Sequence, residues 1–275
     1  MRPPCRCWAL FRPKLALLNG MVAGSGYLLA PVVTTSQSLW RLVAGVTLLA
    51  AAGSVFNQVM ERDLDRLMAR TRHRSLPQEK LTPAAASVIG GACLALGLAL
   101  LAAGGLPPVF LGGATLAWYL GVYTPLKRRT PFALAAGGIC GAMPPVIGWI
   151  SAGGSPLDYQ VMLLAGLLYL WQIPHFWLFQ RRHGQDYLCA GIPLFAPRLE
   201  GAIPLAICRL WVIAMLAAAL LLPAFGLIGP RVSGWYVAAL LILGVSGLCA
   251  AETTFFVCFN LFPLLAPLAL FIQQR

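Results

Sequence analysis

Residues 84–103 read AAASVIGGACLALGLALLAA, twenty positions without a charge, an amide or an aromatic ring. As a helix rising about 1.5 Å per residue, such a run matches the roughly 30 Å hydrocarbon core of a bilayer. It shows neither the alternation of a half-buried strand nor the charged stripe of a soluble surface helix. It therefore predicts a helix solvated by lipid. Lys80 and Glu79 lie just before it and Gly104-Gly105 just after it. Working outward, the same reading gives spans near 15–33, 40–60, 107–124, 132–151, 160–179, 203–225, 233–250 and 253–272, nine in all. The expected fold is an all-α polytopic integral membrane protein, a single domain over residues 1–275.

Composition agrees. Charged residues make up 10% of the chain and hydrophobic ones 59%, against about 25% charged in soluble domains. In lipid the backbone must satisfy its own hydrogen bonds, which leaves helices or closed barrels. Long continuous apolar runs select helices. The net charge of +12 would suggest nucleic acid on a soluble protein. Here the basic residues sit in short loops, so topology explains them and no nucleic acid is expected.

With the N-terminus on the cytoplasmic side, sixteen of the twenty basic residues fall on that side. They comprise Arg2, Arg6, Arg12 and Lys14; Arg62, Arg66, Arg70, Arg72, Arg74 and Lys80; Lys127, Arg128 and Arg129; and Arg181, Arg182 and Arg198. Only Arg41, Arg231 and Arg275 are opposite, with Arg209 inside a span. This alternation predicts the orientation. The first span, lacking a clear cleavage site, is expected to be retained. The tightest connection between spans is placed around Ala251 and Glu252. Most cysteines lie in apolar runs as small hydrophobes; Cys5-Arg6-Cys7 is too little for a metal site. Seven of the eight acids (Glu61, Asp63, Asp65, Glu79, Asp186, Glu200 and Glu252) join the bases on the cytoplasmic side, with Asp158 opposite. Charge sorting does not require that, and it points to a chemical site.

The densest cluster is Asn57-Gln58-Val59-Met60-Glu61-Arg62-Asp63-Leu64-Asp65. If the second span continues to Asp65, then Asn57, Glu61 and Asp65 form one stripe at i, i+4, i+8. Two carboxylates and an amide offer hard oxygen ligands, which suits Mg²⁺ sharing its shell with water and phosphate oxygens. Spacing alone also fits an ordinary solvated helix end. Arg70 and Arg74 follow closely, with planar donor forks suited to phosphate. Tyr123, Lys127 and Arg128 share the same membrane face and could bind leaving diphosphate. A third polar stretch holds His175 after Pro174. A histidine in an apolar run could ligate iron, move a proton or bond a neighbouring helix.

The segment NQVMERDLDRLMARTRHRSLP (57–77) resembles the first aspartate-rich motif of the UbiA superfamily of intramembrane prenyltransferases. YTPLKRRTP (123–131), GAMPPVIGW (141–149), WQIPHFW (171–177) and DYLCAGIP (186–193) resemble its protoheme IX farnesyltransferase branch. Phe11-Arg12-Pro13-Lys14 resembles that branch's opening Lys/Arg-Pro element. The resemblance implies a UbiA-type bundle of nine helices around a central cavity, with polar caps at one membrane face. It implies farnesyl transfer from farnesyl diphosphate to a vinyl group of heme B, giving heme O. By motif, Asn57, Glu61 and Asp65 would hold Mg²⁺–diphosphate, supported by Asp63, Arg70 and Arg74, with His175 expected near heme. The sequence departs twice: Glu61 stands where the motif normally has Asp, and the second DxxxD motif is reduced to Asp186-Tyr187. Asp186 is then the expected ligand of any second metal.

Three other readings compete. One is a UbiA-type enzyme acting on a quinone precursor. Another is an anion transporter, for which inverted repeats would be expected. The third is a noncatalytic heme-binding subunit, which would want paired axial histidines. The expected setting is a lipid bilayer, the bacterial inner membrane in preference to the mitochondrial one. Downstream partners would be heme A synthase or terminal oxidase assembly.

Overall fold

The computed structural model describes residues 8–30, 36–194, 202–249 and 252–273. The Cys5-Arg6-Cys7 motif, Arg2, Arg198, Glu200, Ala251 and Arg275 lie outside the described residues, as does the side chain of Glu252. Among the described residues every regular element is helical. A short α1 (Trp8–Phe11) leads into α2 (Pro13–Leu29), α3 (Ser36–Met60) and the short α4 (Arg62–Leu67). Then come α5 (Pro83–Leu101), α6 (Leu106–Trp118), one π-helical turn (Tyr119–Tyr123), α7 (Thr124–Leu126) and α8 (Ala133–Ser151). The chain ends with α9 (Tyr159–Arg182), α10 (Gly184–Cys189), α11 (Ala202–Ala224), α12 (Pro230–Cys249) and α13 (Glu252–Gln273).

Among the described residues five stretches are long and apolar enough to cross a membrane: 37–60, 83–104, 106–126, 133–151 and 159–182. Residues 209–224, 230–245 and 259–273 are shorter apolar stretches of the same kind. Exposed Leu96, Phe110, Leu210, Leu241 and Ile242 project outward, as lipid-facing side chains do.

Lipid offers helices no hydrophobic reason to associate, so close packing must supply it. Helices α2 and α8 achieve it reciprocally. Gly26 lies against the carbonyl of Pro145, and Gly148 against the carbonyl of Ala23. A methyl group at either position would collide with backbone. Gly26→Ala should therefore destabilise the protein by about 2–3 kcal/mol, read as a lower midpoint of thermal unfolding in lipid.

The apolar core has two main bodies. Ala23, Tyr27, Val46, Leu49, Leu101 and Ile147 join α2, α3, α5 and α8. Leu167, Trp171, Met215, Tyr236, Phe259 and Phe262 join α9 to α11–α13. Polar side chains inside them are bonded: Trp171 Nε1 donates to the Phe259 carbonyl at 2.9 Å, and Tyr236 Oη to that of Ala219 at 3.3 Å.

The polar connections gather at one end. Gln58 Nε2 donates to the Leu10 carbonyl at 2.7 Å, with Ser54 Oγ at 3.2 Å from the same oxygen. This ties the start of the chain to the polar end of α3. At the opposite end, Trp149 Nε1 donates to Asp158 Oδ2 at 3.1 Å, and the Ser155 amide donates to the same oxygen at 3.0 Å. Asp158 thus closes the connection between α8 and α9. A small recess lined by Tyr27, Arg41, Leu101 and Ser151 also lies at that end, away from the polar cluster.

Candidate active site

The acidic stripe forms, but not on one unbroken helix. Helix α3 stops at Met60 and α4 starts at Arg62, with Glu61 as the joint at φ −108°, ψ 13°. The i to i−4 bonds survive on both sides: Glu61 N to Asn57 O at 2.9 Å and Asp65 N to Glu61 O at 2.8 Å. The three side chains therefore remain on one face. The three residues as wholes are 4%, 6% and 2% exposed, which excludes an ordinary solvated helix end. The structure does not bring Asp63 to them. Its side chain is 80% exposed and pairs with Arg62 and Arg66 on the outer face. Asp63 sits two residues from Glu61 and Asp65, and a helix turns by just over half a revolution over two residues.

Each buried carboxylate meets a cation from elsewhere. Lys127 Nζ lies 2.6 Å from Glu61 Oε2, and Arg74 Nη1 lies 2.8 Å from Asp65 Oδ2. Burial lowers the pKa of Lys127, and Glu61 opposes that shift. For Arg74, burial and the charge of Arg12 lower the pKa, while Asp65 raises it. A π turn at Tyr119–Tyr123 precedes Lys127 by four residues. Such turns insert one residue and recur at functional sites. Thr124 Oγ1 donates to the Tyr119 carbonyl at 2.9 Å and accepts from Asn57 Nδ2 at 3.4 Å, which links this turn to the stripe. Arg128 instead donates to the Met60 carbonyl at 2.8 Å, capping the end of α3.

Asp186 reaches the site from α10 and contacts backbone. Its Oδ1 accepts from the Ala69 amide at 2.9 Å, and its Oδ2 accepts from the Arg70 amide at 3.3 Å. It thereby clamps the connection between α4 and α5. Arg70 follows directly from the clamp. Its guanidinium stacks over Phe179 at 5.1 Å from the ring centroid, and its buried Nε has no hydrogen-bond partner. Burial and then the charge of Arg70 lower the pKa of His183, against the pull of Asp186. Asp186→Ala should speed hydrogen exchange at the Ala69 and Arg70 amides by about tenfold, since one such bond is worth about 1–1.5 kcal/mol.

An aromatic series runs from the polar cluster into the bundle. Ring centroids are 5.5 Å apart for Tyr119–Tyr123, 6.1 Å for Tyr123–Phe176, 5.7 Å for Phe176–His175 and 4.5 Å for His175–Trp171. Lys127 Nζ lies 5.6 Å from the Tyr123 ring centroid. His175 hydrogen-bonds the Asn260 side chain of α13. Asn260 was not singled out from the sequence. An amide inside an apolar run was the available signal, since such groups bond neighbouring helices.

The donor set fits Mg²⁺. Glu61 Oε1 is buried and has no hydrogen-bond partner, an orphaned hard ligand on the stripe. Among the described residues no group of three or more His, Cys, Asp or Glu could hold a metal ion. Two carboxylates and an amide are not a full protein cage, as expected for an ion that takes its remaining ligands from water and phosphate.

Comparison with known proteins gives the class. The UbiA prenyltransferase family matches residues 18–270, and the chain belongs to that family. Within it the relatives are specific. A protoheme IX farnesyltransferase of Geobacter sulfurreducens is 56% identical, over 96% of this chain and 97% of its own length. That of Oleidesulfovibrio alaskensis is 44% identical, over 88% and 85%. Among solved structures, a UbiA homolog from Aeropyrum pernix aligns with TM-score 0.80 at 20% identity, covering 96% of this chain and 99% of that one. A UbiA homolog from Archaeoglobus fulgidus bound to GPP and Mg²⁺ aligns with TM-score 0.69 at 16% identity, covering 96% and 97%.

Proposed function

We propose that this chain transfers the farnesyl group of farnesyl diphosphate to a vinyl group of heme B, with addition of water, to give heme O. The observation that carries this reading is the buried ledge of Asn57, Glu61 and Asp65, faced by Lys127 and Arg74, in a chain whose relatives are protoheme IX farnesyltransferases. The remaining long helices also cross the bilayer in this reading, giving nine spans with the N-terminus and the polar end on the cytoplasmic side of a bacterial inner membrane. The product would pass to heme A synthase or to terminal oxidase assembly.

Asn57, Glu61 and Asp65 would hold Mg²⁺, which when bound would supply charge stabilisation to the diphosphate as leaving group. Arg70 supplies a donor fork to the same leaving group, because its Nε has no hydrogen-bond partner among the described residues. Tyr123 donates to it, and Lys127 moves from Glu61 towards the developing negative charge. The allylic cation left behind meets Tyr119, Tyr123 and Phe176, whose ring faces favour positive charge. Apolar surroundings keep water away until the heme vinyl carbon has attacked. The new cation beside the porphyrin then takes up water and loses a proton, leaving the hydroxyl. His175, oriented by Asn260, contacts heme.

A competition tests the acceptor. Protein in lipid receives farnesyl diphosphate, Mg²⁺ and equal heme B and 4-hydroxybenzoate, and both products are read by mass spectrometry. Farnesyl on heme is expected. Farnesyl on the benzoate alone would transfer the chain to the quinone-precursor reading.

A further inference from the structure

The Phe11-Arg12-Pro13-Lys14 element has no role in the mechanism above, yet it is built into the site. Leu10 is buried among Val55, Leu76 and Ala86, and its carbonyl is gripped by Gln58 and Ser54. Gln58 is the immediate neighbour of Asn57, so this anchor fixes the next two residues beside the acidic stripe. Arg12 then takes a left-handed conformation, φ 45°, ψ 61°. Among the described residues only Glu79 is another non-glycine with positive φ. Pro13 disfavours the ordinary helical conformation for the residue before it. A strained backbone of this kind persists only where surrounding contacts over-determine it.

The Arg12 side chain is half-buried and makes no salt bridge among the described residues. Its charge nevertheless reaches groups from three other parts of the chain: Arg74, Lys127 and Tyr187. The two buried carboxylates are already matched, Glu61 with Lys127 and Asp65 with Arg74. Among the described residues Arg70 and Arg12, at the same end of the bundle, form no salt bridge with a carboxylate. Two half-buried guanidinium groups without a salt bridge among the described residues suit a multiply charged anion.

We propose that Arg12 binds the diphosphate of the prenyl donor directly, together with Arg70. This inference rests on the reading of the stripe as a diphosphate site. The same guanidinium would also suit a carboxylate of the acceptor, and the test separates the two.

The full-length protein in lipid nanodiscs is titrated calorimetrically with inorganic pyrophosphate in the presence of Mg²⁺. Arg12→Gly accepts the left-handed backbone without strain while removing the charge. Arg12→Lys keeps the charge, and Arg12→Gln serves if the glycine variant does not fold. Arg12→Gly and Arg12→Gln should weaken pyrophosphate binding about tenfold, the loss expected for one charge-assisted bond, and Arg12→Lys by about threefold at most. The Michaelis constant for heme should stay unchanged. Unaltered pyrophosphate binding in the charge-removing variants would overturn the inference. So would a loss confined to heme, which would place Arg12 on the acceptor. A folded wild-type protein that binds no pyrophosphate would overturn the diphosphate site itself, a distinct failure.

Discussion

Asp65→Asn should lower the rate of farnesyl transfer by about a hundred- to a thousandfold, the usual loss when one preorganised electrostatic group is removed from a reaction that builds charge. Asn keeps the volume and an oxygen that can accept from Arg74, now 2.8 Å from Asp65. The fold should therefore persist, with thermal unfolding close to that of the parent. What disappears is one of two carboxylates on the stripe, and with it the metal-dependent part of the rate. The check is the initial rate of heme O formation at saturating substrates, measured beside thermal unfolding. A variant that unfolds would show Asp65 to be structural. A variant with full activity would remove the stripe from the chemistry.

Lys127→Met should fail in two ways. It removes the cation 2.6 Å from Glu61 and leaves a carboxylate that is 7% exposed without compensation. Breaking such a buried pair from one side costs about 3 kcal/mol. The double change Glu61→Gln with Lys127→Met removes both charges and should restore most of that stability, because a neutral amide is cheaper to bury than an unpaired carboxylate. Activity should not return, since the double variant has lost both a metal ligand and a cation for the leaving group. Unfolding midpoints and rates for the two single variants and the double complete the cycle. Equal stability of Lys127→Met and the double variant would mean that Glu61 does not depend on Lys127.

The apolar runs announced the helices because lipid leaves only one local solution for an isolated uncharged segment. The spacing of Asn57, Glu61 and Asp65 was legible for the same reason: helix geometry converts sequence separation into direction. Partners were not legible. Lys127 and Glu61 are 66 positions apart, and their meeting is set by how α3 packs beside the connection after α6, which no local pattern records. Asp63, expected from the motif to support the stripe, lies outside it, because two residues from Glu61 and from Asp65 a helix presents its other face. Asp186 was visible as the remnant of a motif, but its partners are the amides of Ala69 and Arg70, which every sequence possesses. Asn260 and the Leu10 carbonyl were hidden in the same way. One is a lone amide in an apolar helix, and the other is a backbone atom.

The chemistry itself is decided by one product analysis. Purified protein in lipid is given heme B and farnesyl diphosphate in water enriched in oxygen-18, with Mg²⁺ or with a chelator, and the heme fraction is analysed by mass spectrometry. The predicted result is a farnesylated heme carrying one labelled hydroxyl oxygen, formed with Mg²⁺ and absent with the chelator. A folded protein that binds both substrates and yields no farnesylated heme would contradict heme farnesylation, and equal product in the presence of chelator would contradict the metal–diphosphate role of Asn57, Glu61 and Asp65.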